Sequence, residues 1–273
     1  MFRDGYLLAN MLSGIFFLYL CVYSFRFRKT PEWPYFACLT AMLAFQGLAS
    51  MLELVVSDFA DKLLWRNVQQ IPLYSSPLFL LGLIMSFVGL RRKRILQWLA
   101  MLSVPMVLYW ILVFTDSHHH LLRRAVLLEN YGQAERIGVE PTYLNDFFFM
   151  YNFSLVVLSF VLLLNNVRTT SGIRRRQNNL LILSILLPYA FSFVAEAKGW
   201  ATSISMIMLP AAVLMTYALF IHRFLQIRPI AKEKVLEHMT EGILILEEQD
   251  IIIDANTAAY QMAERLWGRS KLQ

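Results

Sequence analysis

Hydrophobic residues make up 58% of this 273-residue chain, charged residues only 16%, and the mean hydropathy is +0.50. Soluble domains run at about half apolar and about a quarter charged, so that class is excluded. The formal net charge of +6 sits in clusters between apolar runs. This assigns it to membrane topology and contact with anionic headgroups, not to a nucleic-acid footprint.

A bilayer core of roughly 30 Å is crossed by about 20 apolar residues in a helix. Seven stretches meet that length: 6–25, 34–56, 65–90, 95–114, 143–165, 179–197 and 202–222. The first lacks a basic n-region and a small-residue cleavage site, so it reads as a helix rather than a signal peptide. The expected fold class is an all-α multi-pass membrane protein, a bundle of seven transmembrane helices over residues 1–224. Basic residues follow the first span (Arg26, Arg28, Lys29), the third (Arg91, Arg92, Lys93, Arg94), the fifth (Arg168, Arg174, Arg175, Arg176) and the seventh (Arg223, Arg228, Lys232, Lys234). The alternate regions are acidic or mixed: Asp4, then Asp58 and Asp61, then Asp116, Glu129, Glu135 and Glu140 in a long 115–142 loop. Positive residues mark the cytoplasmic face, so the N-terminus is expected outside the cell membrane and the C-terminus inside. Cys21 and Cys38 lie within apolar runs and read as small packing residues, with no disulfide framework or zinc site.

Polar residues within the spans carry the candidate site. Glu53 ends the second span, and Arg66, Asn67, Gln69 and Gln70 crowd the start of the third, between Trp65 and Tyr74. An ionisable group at membrane depth costs several kcal/mol unless it is paired or wet. Glu53, or Asp58, is the expected partner of Arg66. One reading is an interfacial anchor for helix ends; the other is a ligand pocket comprising Glu53, Trp65, Arg66, Asn67, Gln70, Tyr74, Asn145, Asn152 and Glu196. Pro72 and Pro77 favour the second, because they are expected to break the third helix beside this cluster. Pro105, Pro188 and Pro210 lie mid-span as kink points. The run His118-His119-His120 invites a metal or pH reading with Asp116 or Glu129, but consecutive imidazoles cannot converge, and no metal or other cofactor is expected.

After Phe224 the composition changes. Residues 225–240 are charged, with apolar residues three to five apart, which predicts an amphipathic linker helix interrupted at Pro229. Residues 241–273 come next as a soluble segment: apolar runs Ile243–Leu246 and Ile251–Ile253 flank Glu247–Asp250 as a hairpin, and Asn256 caps a helix. A hairpin and one helix cannot bury a core alone, so this domain reads as incomplete. His238 runs directly into a strand, and the chain carries no Gly-rich nucleotide loop or nucleophile elbow, so no catalytic residue is assigned.

The tail "VLEHMTEGILILEEQDIIIDANTAAYQM" resembles the opening of a PAS domain. The stretches "SMLELVVSDFADKLLWRNVQQIPLYSSPLFLL" at 50–81, "FTDSHHHLL" after the fourth span and "IHRFLQIRPIAKEKVLEHMTEGI" after the seventh occur in an order that resembles the N-terminal seven-helix sensor region of bacterial histidine kinases, a module also found ahead of diguanylate cyclases. The resemblance implies a receptor input module that is not itself an enzyme. Its expected partners are a small or partly apolar ligand, membrane lipids, a second copy of the chain as homodimer, and a response regulator only through a kinase domain beyond this chain. Pro210, Phe224, Arg228 and Pro229 are the expected signal-transmitting positions. A small transporter is the alternative, against which no inverted repeat is evident and mid-membrane charge is scarce; an intramembrane enzyme would require paired acids that are missing.

Overall fold

The computed structural model describes residues 2–131, 134–199 and 202–221, and in the C-terminal region 241–242, 244–246, 252–255, 258–259 and 261–262. Two compact units divide at residue 218. The first contains eight helices and a β-hairpin: α1 (Phe2–Ser24), α2 (Trp33–Val55), α3 (Phe59–Val68), α4 (Gln70–Val88), α5 (Arg92–His119), β1 (Arg123–Tyr131), β2 (Ala134–Pro141), α6 (Tyr143–Thr169), α7 (Gly172–Ala197) and α8 (Ile204–Thr216). Among the described residues six helical stretches are long and apolar enough to cross a membrane, with α3 and α4 together forming one of them. The chain is therefore a multi-pass membrane protein.

Local chemistry explains the boundaries. Pro34 opens α2 in its first turn, where a missing N–H costs nothing. Asp58 caps α3 through Oδ2, accepting from the N–H groups of Ala60 (2.9 Å) and Asp61 (3.4 Å). Gly89, at φ 97°, ends α4, and the Leu90 N–H returns to the Met85 carbonyl at 3.0 Å. Thr142 and Ser203 cap α6 and α8.

α2 and α4 occupy the centre. α2 packs on α1, α4 and α8, α4 also meets α5 and α6, and α7 joins the bundle through α6 and α8. The outward faces of α1, α5, α6 and α7 remain apolar, with Ile15, Val104, Ile111 and Phe193 all more than half exposed. On a soluble protein such area would be an association surface; here it is what hydrocarbon solvates. α1 meets α2 closely because Gly47 lies against the backbone of Gly14 and Asn10. It meets α8 through a small polar knot, in which Ser13 donates to Ser205 (3.0 Å) and Ser205 to Asn10 Oδ1 (3.3 Å). Small residues and short hydroxyl contacts are the ordinary means of joining helices where lipid removes the hydrophobic drive.

Four expectations change. The stretch 65–90 is two helices, and the break falls at Gln69, not at a proline. Pro72 sits in the first turn of α4, where an N–H would have no intrahelical acceptor and its absence costs nothing, and Pro77 lies inside an unbroken α4. The 115–142 stretch is no plain loop. α5 continues to His119, and β1 and β2 pair antiparallel, with Val126 opposite Val139 and Leu128 opposite Ile137. Among the described residues the last apolar helix covers Ile204–Phe220, its end overlapping a π turn at Tyr217–Ile221, and spans about 25 Å at ~1.5 Å per residue. Cys38 is exposed, so it is not an interior packing residue.

In the second unit, Leu244–Leu246 (β3) and Ile252–Ala255 (β4) pair antiparallel, as the two apolar runs predict. The linker 225–240, with Phe224, Arg228, Pro229 and His238, and most of the helix after Asn256 lie outside the described residues.

Candidate functional site

Where α3 meets α4, the hairpin lies against the ends of α2 and α6. Two contacts fasten it. The Ile137 N–H donates to Glu53 Oε1 at 3.0 Å, and Lys62 Nζ bridges the carbonyls of Glu53 and Glu135, both at 3.1 Å. The second carboxylate oxygen of Glu53 accepts from Gln69 Nε2 at 2.5 Å, and Gln69 Oε1 accepts from Ser50 at 3.2 Å. Glu53 is fully buried. Both its oxygens are thus committed to the hairpin and to the helix break. The expected contact pair Glu53–Arg66 does not form, and Asp58 is an N-cap; Glu53 acts on Arg66 only through space.

Beneath the hairpin lies a cavity of about 300 Å³. Three guanidinium groups line it: Arg66 from α3, Arg123 from β1 and Arg136 from β2. Amides from Gln46, Gln69, Gln70 and Asn145 complete the polar wall, and among the described residues no carboxylate lines it. Its aromatic side is ordered by hydrogen bonds. Tyr109 stacks on Tyr74 with centroids 3.9 Å apart, its hydroxyl sits 3.1 Å from Asn145 Oδ1 and 3.4 Å from Gln70 Oε1, and Trp110 donates to the Gln70 carbonyl at 3.3 Å. Thr202, Ser203 and Ile204 close the far wall, so the cavity touches the first turn of α8.

The side chains of Arg66 and Arg123 make no hydrogen bond or ion pair among the described residues, although Arg123 is buried. Burial pushes the pKa of Arg123 below the usual arginine value; Tyr109 and Asp116 draw it back up, and Arg66 lowers it further. A guanidinium remains charged regardless. Arg136 lies 5.8 Å from the ring centroid of Tyr6. Asp116, the other buried carboxylate nearby, accepts from the Leu122 N–H at 2.9 Å and lies 3.5 Å from His119 Nδ1. That places His119 in a local cap, with its Nδ1 also accepting from the Leu121 N–H.

A second cavity, of about 210 Å³ and mostly apolar, lies among α2, α4, α6, α7 and α8. Gln46, Leu73, Phe149 and Ile204 line both cavities, so the two adjoin. Pro77 has no N–H to give the Leu73 carbonyl; Asn152 Nδ2 supplies the donor instead, at 3.4 Å.

Of the nine expected site residues, Arg66, Gln70, Tyr74 and Asn145 line the polar cavity and Asn152 the apolar one. Glu53 supports the polar cavity from behind. Trp65 and Asn67 lie on α3 but line neither, and Glu196 is exposed at the end of α7. Sequence reasoning missed Arg123, Arg136, Gln46 and Tyr109. For the two arginines the available signal was the pattern "RRAVLLENYGQAERIGVEP", two runs separated by Gly132 with arginine near the start of each.

A family model described as the N-terminal 7TM region of histidine kinase matches residues 9–229. That stretch takes in the six long helices from the third turn of α1 onward, the hairpin and both cavities. No curated protein matches the chain.

Proposed function

The chain belongs to the family of N-terminal 7TM regions of histidine kinases, and from that premise we propose that it is the input module of a bacterial sensor kinase, binding its ligand beneath the hairpin. The ordered family match over 9–229 carries this reading. The module passes seven times through the cytoplasmic membrane, the seventh pass being made by α8. Its basic end faces the cytoplasm: Arg28, Lys29 and Arg92 come together there, and Glu32 is the one acidic residue among the described loops of that end. The hairpin then faces outward and the cavity opens to external ligand.

A ligand alters signalling only by binding one arrangement of the protein better than another. The cavity offers that leverage because its walls come from separate elements, including the first turn of α8. Displacement there travels along α8, past Pro210 and through the π turn at Tyr217–Ile221, to Phe224, Arg228 and Pro229. The segment after it opens a PAS domain that relays the change to a kinase domain, within a homodimer.

The coupling is tested in the full-length kinase by inserting residues one at a time between Leu225 and Lys234. Each insertion rotates the downstream domains by about 100° and advances them by about 1.5 Å, so autophosphorylation should rise and fall with helical period. Indifference to the insertions would refute a rigid helical relay.

A further inference from the structure

From the two adjoining cavities we infer that the ligand is an amphiphilic anion: its charged head sits between Arg66 and Arg123, and its apolar body enters the cavity shared by α2, α4, α6, α7 and α8. The inference rests on the reading of the cavity beneath the hairpin as the ligand site.

Charge comes first. Of the three guanidinium groups that line the polar cavity, those of Arg66 and Arg123 make no hydrogen bond or ion pair among the described residues, and no carboxylate among those residues lines the cavity. The nearby carboxylates of Glu53 and Asp116 accept from Gln69, Ile137 and Leu122 instead. Buried charge without a partner is costly. A guanidinium, with parallel N–H groups in a planar fork, is the group best matched to a carboxylate, phosphate or sulfate. A neutral or cationic ligand would leave Arg66 and Arg123 as they stand.

Size and continuity come next. The polar cavity of about 300 Å³ is at the low end of small-molecule sites, which run to about 1,000 Å³. It adjoins the apolar cavity of about 210 Å³, with Gln46, Leu73, Phe149 and Ile204 lining both. Filling both places a head among cations and a hydrocarbon body against Leu39, Leu43, Leu80, Ile185 and Met208. Oε1 of Gln46, which lines both cavities, and Oδ1 of Asn152, which lines the apolar one, are buried acceptors without a donor among the described residues. The orientation of Asn152 is set by its bond to the Leu73 carbonyl, so its oxygen points away from that contact. An N–H or O–H next to the head of the ligand satisfies these acceptors. An N-acyl amino acid has all three features.

The test uses the purified full chain in nanodiscs of zwitterionic phosphatidylcholine, with labelled N-decanoylglycine as probe and empty discs as the partition control. Saturable binding is expected. N-Decanoylglycinamide (same body, no charge) and N-acetylglycine (same head, no body) should each compete about tenfold or more less well. Arg66→Gln and Arg123→Gln should weaken binding by a similar factor, and Arg124→Gln, altering an exposed neighbour, should not. If the uncharged amide competes equally, the cationic cavity does not read charge and the inference falls; if N-acetylglycine or inorganic phosphate competes equally, the apolar cavity is no part of the site and it falls too. Absence of saturable probe binding also overturns it. The competition on the unaltered chain decides even where an arginine variant fails to fold. Phosphatidylglycerol added to the discs separates sources: displacement of the probe assigns the ligand to the bilayer, and lack of displacement to a free amphiphile, the class being the same. The insertion series in the full-length kinase needs no ligand, so the input-module reading stands or falls separately.

Discussion

Replacing Glu53 by alanine should loosen the hairpin on the helices while leaving the bundle inserted. In the native protein the Ile137 N–H and the Gln69 side-chain amide both donate to this one buried carboxylate, at 3.0 and 2.5 Å. A hydrogen bond to a charged acceptor contributes about 1.5–3 kcal/mol, and an unpaired buried donor carries its full desolvation cost. Losing both contacts costs about 3–6 kcal/mol in total, with about half falling on β2. At ~1.4 kcal/mol per factor of ten, the Ile137 amide should exchange with deuterium about 10- to 100-fold faster. The change should spread over 135–139, because antiparallel pairing transmits opening along the ladder. Glu53→Gln keeps one acceptor oxygen, so it should fall between wild type and alanine. Hydrogen exchange with mass spectrometry on the chain in nanodiscs reads this directly, and Asp61→Ala, an exposed neighbouring carboxylate, serves as control. Unchanged exchange across 135–139 in Glu53→Ala would refute the carboxylate clamp and leave the Lys62 bridge as the fastening of the hairpin.

Reporters fused after Arg94 or Arg176 should be active in the cytoplasm, and one placed within 125–138 should report the outside; the reverse pattern would overturn the orientation. Asn152→Leu should cost about 1–3 kcal/mol by unpairing the Leu73 carbonyl. The loss should shrink in a Pro77→Ala background, where a restored N–H serves that carbonyl, and thermal unfolding of the four proteins as a double-mutant cycle measures the coupling. Additive effects would mean that Asn152 does not stand in for the missing proline donor. Gly47→Leu should lower stability by about 1–3 kcal/mol through overpacking, because a Cβ there already lies 3.3 Å from backbone atoms of Asn10 and Gly14; retained thermal stability would show that α1 can move aside freely.

The six long spans were legible because the bilayer imposes a length on apolar runs, and a run of about 20 residues has few other uses. The hairpin at 244–255 was readable for a similar local reason, two β-branched runs with a polar turn between them. The polar cluster at the start of the third span could also be found, since Arg66, Gln70 and Tyr74 fall on neighbouring turns of one stretch. Its partners could not. Local pattern does not reveal that Arg123 and Arg136 swing over the bundle, because a β-hairpin resting on helix ends is held by contacts far apart in sequence. Proximity along the chain made Arg66 the natural partner for Glu53, yet a carboxylate goes to the donors nearest in space. The Ile137 N–H on β2 and the Gln69 amide at the helix break are closer. The break itself depends on packing: prolines suggested Pro72 or Pro77, but a helix tolerates proline in its first turn, and elsewhere when a neighbour such as Asn152 takes the orphaned carbonyl. Which polar residues share a cavity, and whether their charges cancel, is a property of the assembled walls.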